Sequence, residues 1–207
     1  MITADLHVHT KYSKDSKMEP RLILKIAKTR GIDCIAITDH NTIRGSVLTK
    51  KIKSDVRVII GSEIKTNKGE VVGYNLNENI RPGNIYDVID KIKSQGGILS
   101  IPHPFDCIRS GIADDKLLKK ILNKIDFLEL NARTLWFFNK KAEYFAKKHK
   151  IPLIAGSDAH MEFEIGKFLT VLKDRKIVPI RTITKNTSKI YPLYPLVRTK
   201  IYKILKI

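Results

Sequence analysis

The chain holds only two cysteines in 207 residues, Cys34 and Cys107. Two thiols are too few for a disulfide framework and too few for a thiolate zinc site. Cys34 falls inside the apolar run Cys34-Ile35-Ala36-Ile37 and reads as a buried structural thiol. No run approaches the roughly 18–20 apolar residues that a membrane-spanning helix needs. The pattern of a signal peptide is also missing, because Met1 leads directly into a strand-like run carrying Asp5, His7 and His9. These absences give a cytoplasmic protein with no membrane partner as the expectation. Neither Ser62 nor Ser157 sits in a Gly-x-Ser-x-Gly elbow, and no phosphate-cradling P-loop is present, so a serine hydrolase and an NTPase are both disfavoured. There is no internal repeat and no low-complexity linker. Acidic residues run out as well: none follows Asp174, while Lys and Arg recur through Lys206.

What is present is a large positive excess, 39 Lys and Arg against 21 Asp and Glu, for a net charge of +18. Such a field attracts polyanions; a lysine-rich surface that only solvates the fold is the competing reading. A hydrophobic content of 43% is ample for the core of one compact domain.

Short apolar runs alternate with amphipathic stretches, the pattern of repeated βα units. Strands are expected at Ala4–Thr10, Ile35–Thr38, Arg57–Ile60, Glu70–Leu76, Ile98–Ile101, Phe127–Leu130, Pro152–Ala155 and Phe168–Leu172. Asn67-Lys68-Gly69 reads as the turn of a hairpin. Pro20 opens a helix that Gly31 stops, and Trp136 to Lys148 is expected to be a helix with an aromatic inner face, burying at least two of Trp136, Phe137 and Phe138. About seven strands, most followed by helices, predict an α/β fold of barrel type whose site gathers at the strands' C-terminal ends. Residues 1–173 form the predicted domain and 174–207 a basic C-terminal extension.

Five of the six histidines, His7, His9, His40, His103 and His160, fall at or just past predicted strand ends; His149 sits on a charged helix end and reads as surface. Asp5, Asp15, Asp39, Glu63 and Asp158 share those ends. Imidazoles and carboxylates crowded at one barrel mouth call for bound cations, and zinc, manganese and iron all accept mixed nitrogen and oxygen ligands. His7 and His9 lie two apart on a strand, so both side chains face one side and can reach one ion; Asp158 and His160 repeat that geometry.

In order, Asp5-Leu6-His7-Val8-His9-Thr10, Thr38-Asp39-His40, Gly61-Ser62-Glu63, His103-Pro104 and Gly156-Ser157-Asp158-Ala159-His160 resemble the successive motifs of the PHP (polymerase and histidinol phosphatase) superfamily. The resemblance runs from about residue 2 to 172 and implies a distorted seven-stranded (β/α) TIM-like barrel. It also implies two to three divalent metal ions (Zn, Mn or Fe) and hydrolysis of phosphate esters. By motif, His7, His9, Glu63 and Asp158 would hold a first ion. Glu63 would bridge to a second ion, also held by His103. Asp15, His40 and His160 would hold a third. Where many relatives carry histidine three residues before a glycine, this chain has Glu70 before Val71-Val72-Gly73, and Glu70 reads either as a ligand or as a solvated turn residue. Asp5 and Asp39 are expected to orient imidazoles as acceptors, a job compatible with the alternative of capping local backbone N–H groups.

Clustered ions would activate water as the nucleophile, so no covalent nucleophile is needed. Arg109 and Arg133 follow strand ends at the same mouth, where each could clamp a phosphate or form a surface salt bridge. Trp136, Phe137 and Phe138 offer an alternative use as a base-stacking platform. The resemblance is nearest to short phosphoesterases acting on nucleotides or short nucleic acids, with the basic extension as a further nucleic-acid contact. A histidinol-phosphate phosphatase and a 3'-5' exonuclease are the alternatives within the class, and a non-catalytic nucleic-acid-binding module the alternative outside it.

Overall fold

The computed structural model describes residues 1–173 and 177–184. The chain runs β1 (Ile2–Val8), α1 (Pro20–Thr29), β2 (Cys34–Ile37), α2 (Arg44–Lys50), β3 (Arg57–Thr66), β4 (Gly69–Tyr74) and α3 (Ile85–Ser94). It continues with β5 (Ile98–Ile101), α4 (Asp115–Lys120), β6 (Phe127–Asn131), α5 (Trp136–His149), β7 (Leu153–Gly156), β8 (Phe168–Leu172) and β9 (Pro179–Thr184).

Local chemistry sets these boundaries. Pro20 occupies the first turn of α1, where its missing N–H costs nothing, and the helix buries Ile23, Leu24 and Ala27. The Asn84 side chain accepts from Tyr86 N to start α3, and Asp114 accepts from Lys116 N and Leu117 N to start α4. Gly69, at φ 124°, lets the chain reverse between β3 and β4.

The strands form one sheet in the order β7-β6-β5-β4-β3-β2-β1-β8-β9. Parallel pairs β1–β2, β2–β3, β5–β6 and β6–β7 are interrupted by antiparallel β3–β4–β5 and β1–β8–β9. Among the described residues the sheet thus has nine strands, β9 being additional to the eight stretches expected to be extended. The hairpin at Asn67–Gly69 reverses the direction of β4, and the residues past 176 add β9 along β8. The rest of the expected extension, 185–207, and with it any nucleic-acid contact there, lies outside the described residues.

The sheet curls until its ends nearly meet. Across the seam Thr170 Oγ1 accepts from Ala155 N at 2.7 Å and donates to Ala155 O at 3.0 Å, standing in for ladder bonds between β8 and β7. His9 N donates to Ala159 O at 2.9 Å, tying β1 to the segment after β7. Inside, Ala4, Leu6, Ala36, Ile59, Tyr74 and Ile154 pack along the axis. Two outer apolar clusters cover the barrel: one under α1, with Ile23, Leu24, Ile35 and Ile37, and one under α3 to α5, with Ile89, Leu99, Leu128 and Phe145, against which Val47 of α2 also packs. No helix among the described residues is long and apolar enough to cross a membrane.

Candidate metal centre

A register irregularity in β1 between Asp5 and Val8 re-aims the strand next to the mouth. Val8 packs in the outer layer while His7 and His9 face inward, and their Nε2 atoms are 3.0 Å apart. Both rings are held from behind. His7 Nδ1 lies 2.9 Å from Glu129 Oε1, and His9 Nδ1 lies 3.0 Å from Ser13 Oγ. Ser13 itself donates to Asp39 Oδ1 at 2.9 Å, so its oxygen is left to accept from His9 Nδ1. In neutral rings these partners put the proton on Nδ1 and turn the two Nε2 atoms toward each other. Two Nε2 atoms at that distance call for a cation, a proton or a metal ion, between or beside them.

Glu63 on β3 stands at the centre. Its Oε2 lies 3.4 Å from both His7 Nε2 and His9 Nε2 and 3.2 Å from His40 Nδ1, while Oε1 lies 2.9 Å from His103 Nε2. Three sets of donors have ligand atoms within 4.8 Å of one another: His7, His9 and Glu63; His9, His40 and His160; and Glu63, Glu70 and His103. Glu70 therefore enters the cluster beside His103 rather than standing in a solvated turn. Asp15 approaches from the β1–α1 loop, 3.3 Å from His160 Nε2 and 3.5 Å from His40 Nε2. Asp158 Oδ1 is 3.2 Å from His9 Nε2 and has no hydrogen-bond partner although it is buried. His103 and Asp158 hold positive φ values of 31° and 53°, a strained backbone that aims both side chains into the mouth.

Burial and crowding disturb the protonation of these groups. Burial alone would lower His7, but the Glu129 and Glu63 carboxylates overcome it and carry it up to about 10. Burial drives His9 well below the ordinary imidazole value, helped by His160, His40 and His7 around it. Burial raises Glu70 to about 8, with repulsion from Glu63 adding to it. Burial, then the Arg133 guanidinium, hold His160 down to about 3. The donor set, the facing Nε2 atoms and the unpartnered Asp158 Oδ1 all fit divalent cations of the zinc, manganese or iron type.

Asp5 takes the backbone-capping role, and Asp39 combines that role with indirect support of an imidazole. Asp5 accepts backbone N–H groups of His7 (3.3 Å), Ser157 (2.9 Å) and Gly166 (2.7 Å), so it pins three backbone segments and touches no imidazole. Asp39 accepts from Thr10 N and Thr10 Oγ1, both at 2.7 Å, and reaches His9 only through Ser13. Desolvation raises both carboxyls, Asp5 to about 6.

Four contributors escaped the sequence reading: Glu129, Ser13, Asn131 and Glu164. Glu129, a carboxylate between Leu128 and Leu130 on a fully buried strand, carried a signal in that position. Asn131 Nδ2 donates to Glu129 Oε2 at 3.1 Å, and its Oδ1 accepts from Arg109 Nη1 at 3.0 Å. Arg109 also pairs with Asp158 Oδ2. Arg133 is buried, with Nη1 against His160 Nδ1 and Nε 3.5 Å from Glu164 Oε1. Both arginines line a cleft of about 420 Å³ over the cluster, together with Lys14, Lys65, His40 and Glu70. His149 lies apart, its ring 4.3 Å from that of Phe145. Of the three aromatics that open α5, only Phe138 packs against the core; Trp136 and Phe137 are exposed, against expectation, because adjacent helical positions lie about 100° apart and cannot both face in.

A barrel with such a mouth carries the donors of a metal centre. Residues 5–134 match the model of the PHP domain, and residues 136–185 that of the PHP-associated family. The chain belongs to the PHP family. It is similar to two uncharacterized proteins of Methanocaldococcus jannaschii. MJ1587 is 51% identical over 124 residues, covering 54% of this chain and 72% of the relative. MJ0417 is 32% identical over 170 residues, covering 78% and 67%. Among solved structures, a two-domain protein of Bacteroides vulgatus containing a predicted PHP-like metal-dependent phosphoesterase shares the fold with a TM-score of 0.74 at 16% identity, over 94% of this chain and 69% of that one.

Proposed function

We propose that the chain hydrolyses phosphate esters with two to three divalent transition ions held at the barrel mouth. The single observation that carries this reading is the His7–His9 pair, two Nε2 atoms 3.0 Å apart with Glu63 Oε2 3.4 Å from each. His7, His9, Glu63 and Asp158 would hold one ion, Glu63, Glu70 and His103 a second, and Asp15, His40 and His160 a third. When bound, such ions neutralise phosphoryl oxygens and lower the pKa of water.

The chain's own residues supply the rest. Glu129 and Ser13 hold Nδ1 of His7 and His9 and so present Nε2 of each ring to the ion. Arg109 and Arg133, at the cleft wall, would draw the phosphoryl oxygens by charge-assisted hydrogen bonds and set the ester against the ligand cluster. Strain at His103 and Asp158 keeps their side chains aimed without reorganisation. Lys14 and Lys65 add positive charge to the rim, which suits a phosphorylated small molecule such as a nucleotide, or the end of a short nucleic acid.

The test is a screen of phosphorylated metabolites and short oligonucleotides, alongside a generic aryl phosphate, with Mn²⁺- or Zn²⁺-loaded protein. Replacing His7 and His9 by Ala should lower the bound metal by at least one equivalent and abolish turnover. Retention of full metal content would overturn the ligand assignment, and a metal-loaded wild type inert toward every ester would overturn the phosphoesterase.

A further inference from the structure

The outer face of α5 carries a pattern that the barrel chemistry does not use. Seven of its residues are exposed: Trp136, Phe137, Lys140, Lys141, Tyr144, Lys147 and Lys148. At about 100° per residue they fall on one arc of about 140°. Around that arc the order is Trp136, Lys147, Lys140, Tyr144, Phe137, Lys148, Lys141, so cations stand between aromatics as well as beside them. Trp136 is 55% exposed, Phe137 46% and Tyr144 68%, unusually open for rings of this size. The opposite face buries Ala142, Phe145 and Ala146 against the sheet, so the exposed rings are not a core turned outward. Lys140 is paired with Glu143, and Lys141 with Asp115 and the Phe105 ring. Among the described residues Lys147 and Lys148 have no ion pair.

We infer that this face of α5 binds single-stranded nucleic acid, its rings stacking bases and its lysines meeting phosphates. Every base offers a π-face to an aromatic side chain, and interleaved cations neutralise the linking phosphates. Charge complementarity selects this occupant: the exposed residues of the face are cationic or aromatic, on a chain of net charge +18. A membrane-seated helix would instead show a continuous apolar stripe with aliphatic residues and cations along its borders. The start of α5 is also tied to the strand end beside the proposed active site. Trp136 follows Arg133, which lines the cleft, by three residues, and Asn139 of α5 holds Asn131 through paired bonds of 3.0 and 2.9 Å. The surface goes beyond the phosphoesterase reading, because binding here needs no turnover.

Trp136 is the chain's one tryptophan, so its fluorescence reports stacking directly. Metal-loaded full-length protein is titrated with a short phosphorothioate oligothymidylate, which resists hydrolysis. Saturable quenching is expected, with the double variant Phe137→Ala/Tyr144→Ala weakening binding about tenfold or more. Lys147→Ala/Lys148→Ala should reduce the slope of log affinity against log salt by about 1.4, at roughly 0.7 per neutralised phosphate. Absent quenching at low salt, or equal affinity in the Phe137→Ala/Tyr144→Ala variant, overturns the inference. So does self-association or binding to anionic phosphatidylglycerol vesicles that the same variants abolish while oligonucleotide binding is absent. Aryl phosphate turnover in the same preparations, expected to be unchanged by Phe137→Ala/Tyr144→Ala, keeps failure of this surface distinct from failure of the phosphoesterase.

Discussion

Glu129 Oε1 lies 2.9 Å from His7 Nδ1, and the other oxygen of the same carboxylate accepts the backbone N–H of His103 at 3.0 Å. One side chain on β6 thereby fixes an imidazole on β1 and the loop after β5. The carboxylate holds the His7 proton on Nδ1 and raises the basicity of the ring toward a metal. Glu129→Gln preserves shape and one acceptor but removes the charge. Metal affinity should fall about 10–100-fold, read by competition against a coloured chelator. Equal affinity would show that His7 needs no carboxylate behind it.

Gly156, the last residue of β7, lies against that pair. A Cβ there would overlap Glu129 Oε1 and sit 2.5 Å from His7 Cβ. Neither neighbour can retreat, since both are fully buried and hydrogen-bonded to each other. Gly156→Ala should therefore cost about 1–3 kcal/mol of stability, as overpacked cores do, and weaken metal binding with it. Thermal unfolding of metal-free protein separates the two effects; an unshifted Tm would mean the pair yields easily.

The convergence of these side chains was legible because a parallel βα unit ends at a predictable place. His7, His9, His40, His103 and Asp158 sit where an apolar run stops, and a barrel brings all such stops to one mouth. Direction and support were harder to read. The antiparallel course of β4 depends on one turn at Gly69, and β9 on pairing with β8 that no local pattern announces. Asp5 looked like a partner for imidazole from its place beside His7, yet its acceptors meet backbone from Ser157 and Gly166, more than 150 positions away in the chain. Glu129 was visible as an acid in an apolar strand, but which histidine it meets, 122 residues away, is a property of barrel closure.

The two thiols should behave oppositely. Cys34 is wholly buried between β1 and β3, and burial pushes its thiol up to about 12, whereas Cys107 is exposed on the loop after β5. A raised folded-state value means that the protonated thiol's contribution to stability is full below the ordinary value near 9 and is lost as pH rises toward 12. At pH 8 a thiol reagent should modify one cysteine in native protein and two after denaturation. Rapid modification of both in the native state would contradict the burial of Cys34.

Glu164 closes the far side of the mouth. It is fully buried in a short 3-10 turn, where Oε2 accepts the backbone N–H of His160 at 2.7 Å and of Met161 at 2.9 Å, while Oε1 lies 3.5 Å from Arg133 Nε. The same carboxylate thus sets the backbone of a proposed ligand and the guanidinium of a proposed phosphate clamp. Its two jobs can be separated. Glu164→Gln leaves an acceptor for the two N–H groups but withdraws the charge facing Arg133, so metal content should hold while KM for a phosphate ester rises. Glu164→Ala removes both and leaves two backbone donors unpaired, at about 1–3 kcal/mol each where buried. That variant should lose metal from the Asp15, His40 and His160 group as well as stability. Metal analysis, Tm and KM measured on both variants decide the matter: a Gln variant with unchanged KM would detach Glu164 from Arg133, and an Ala variant with full metal would detach it from His160.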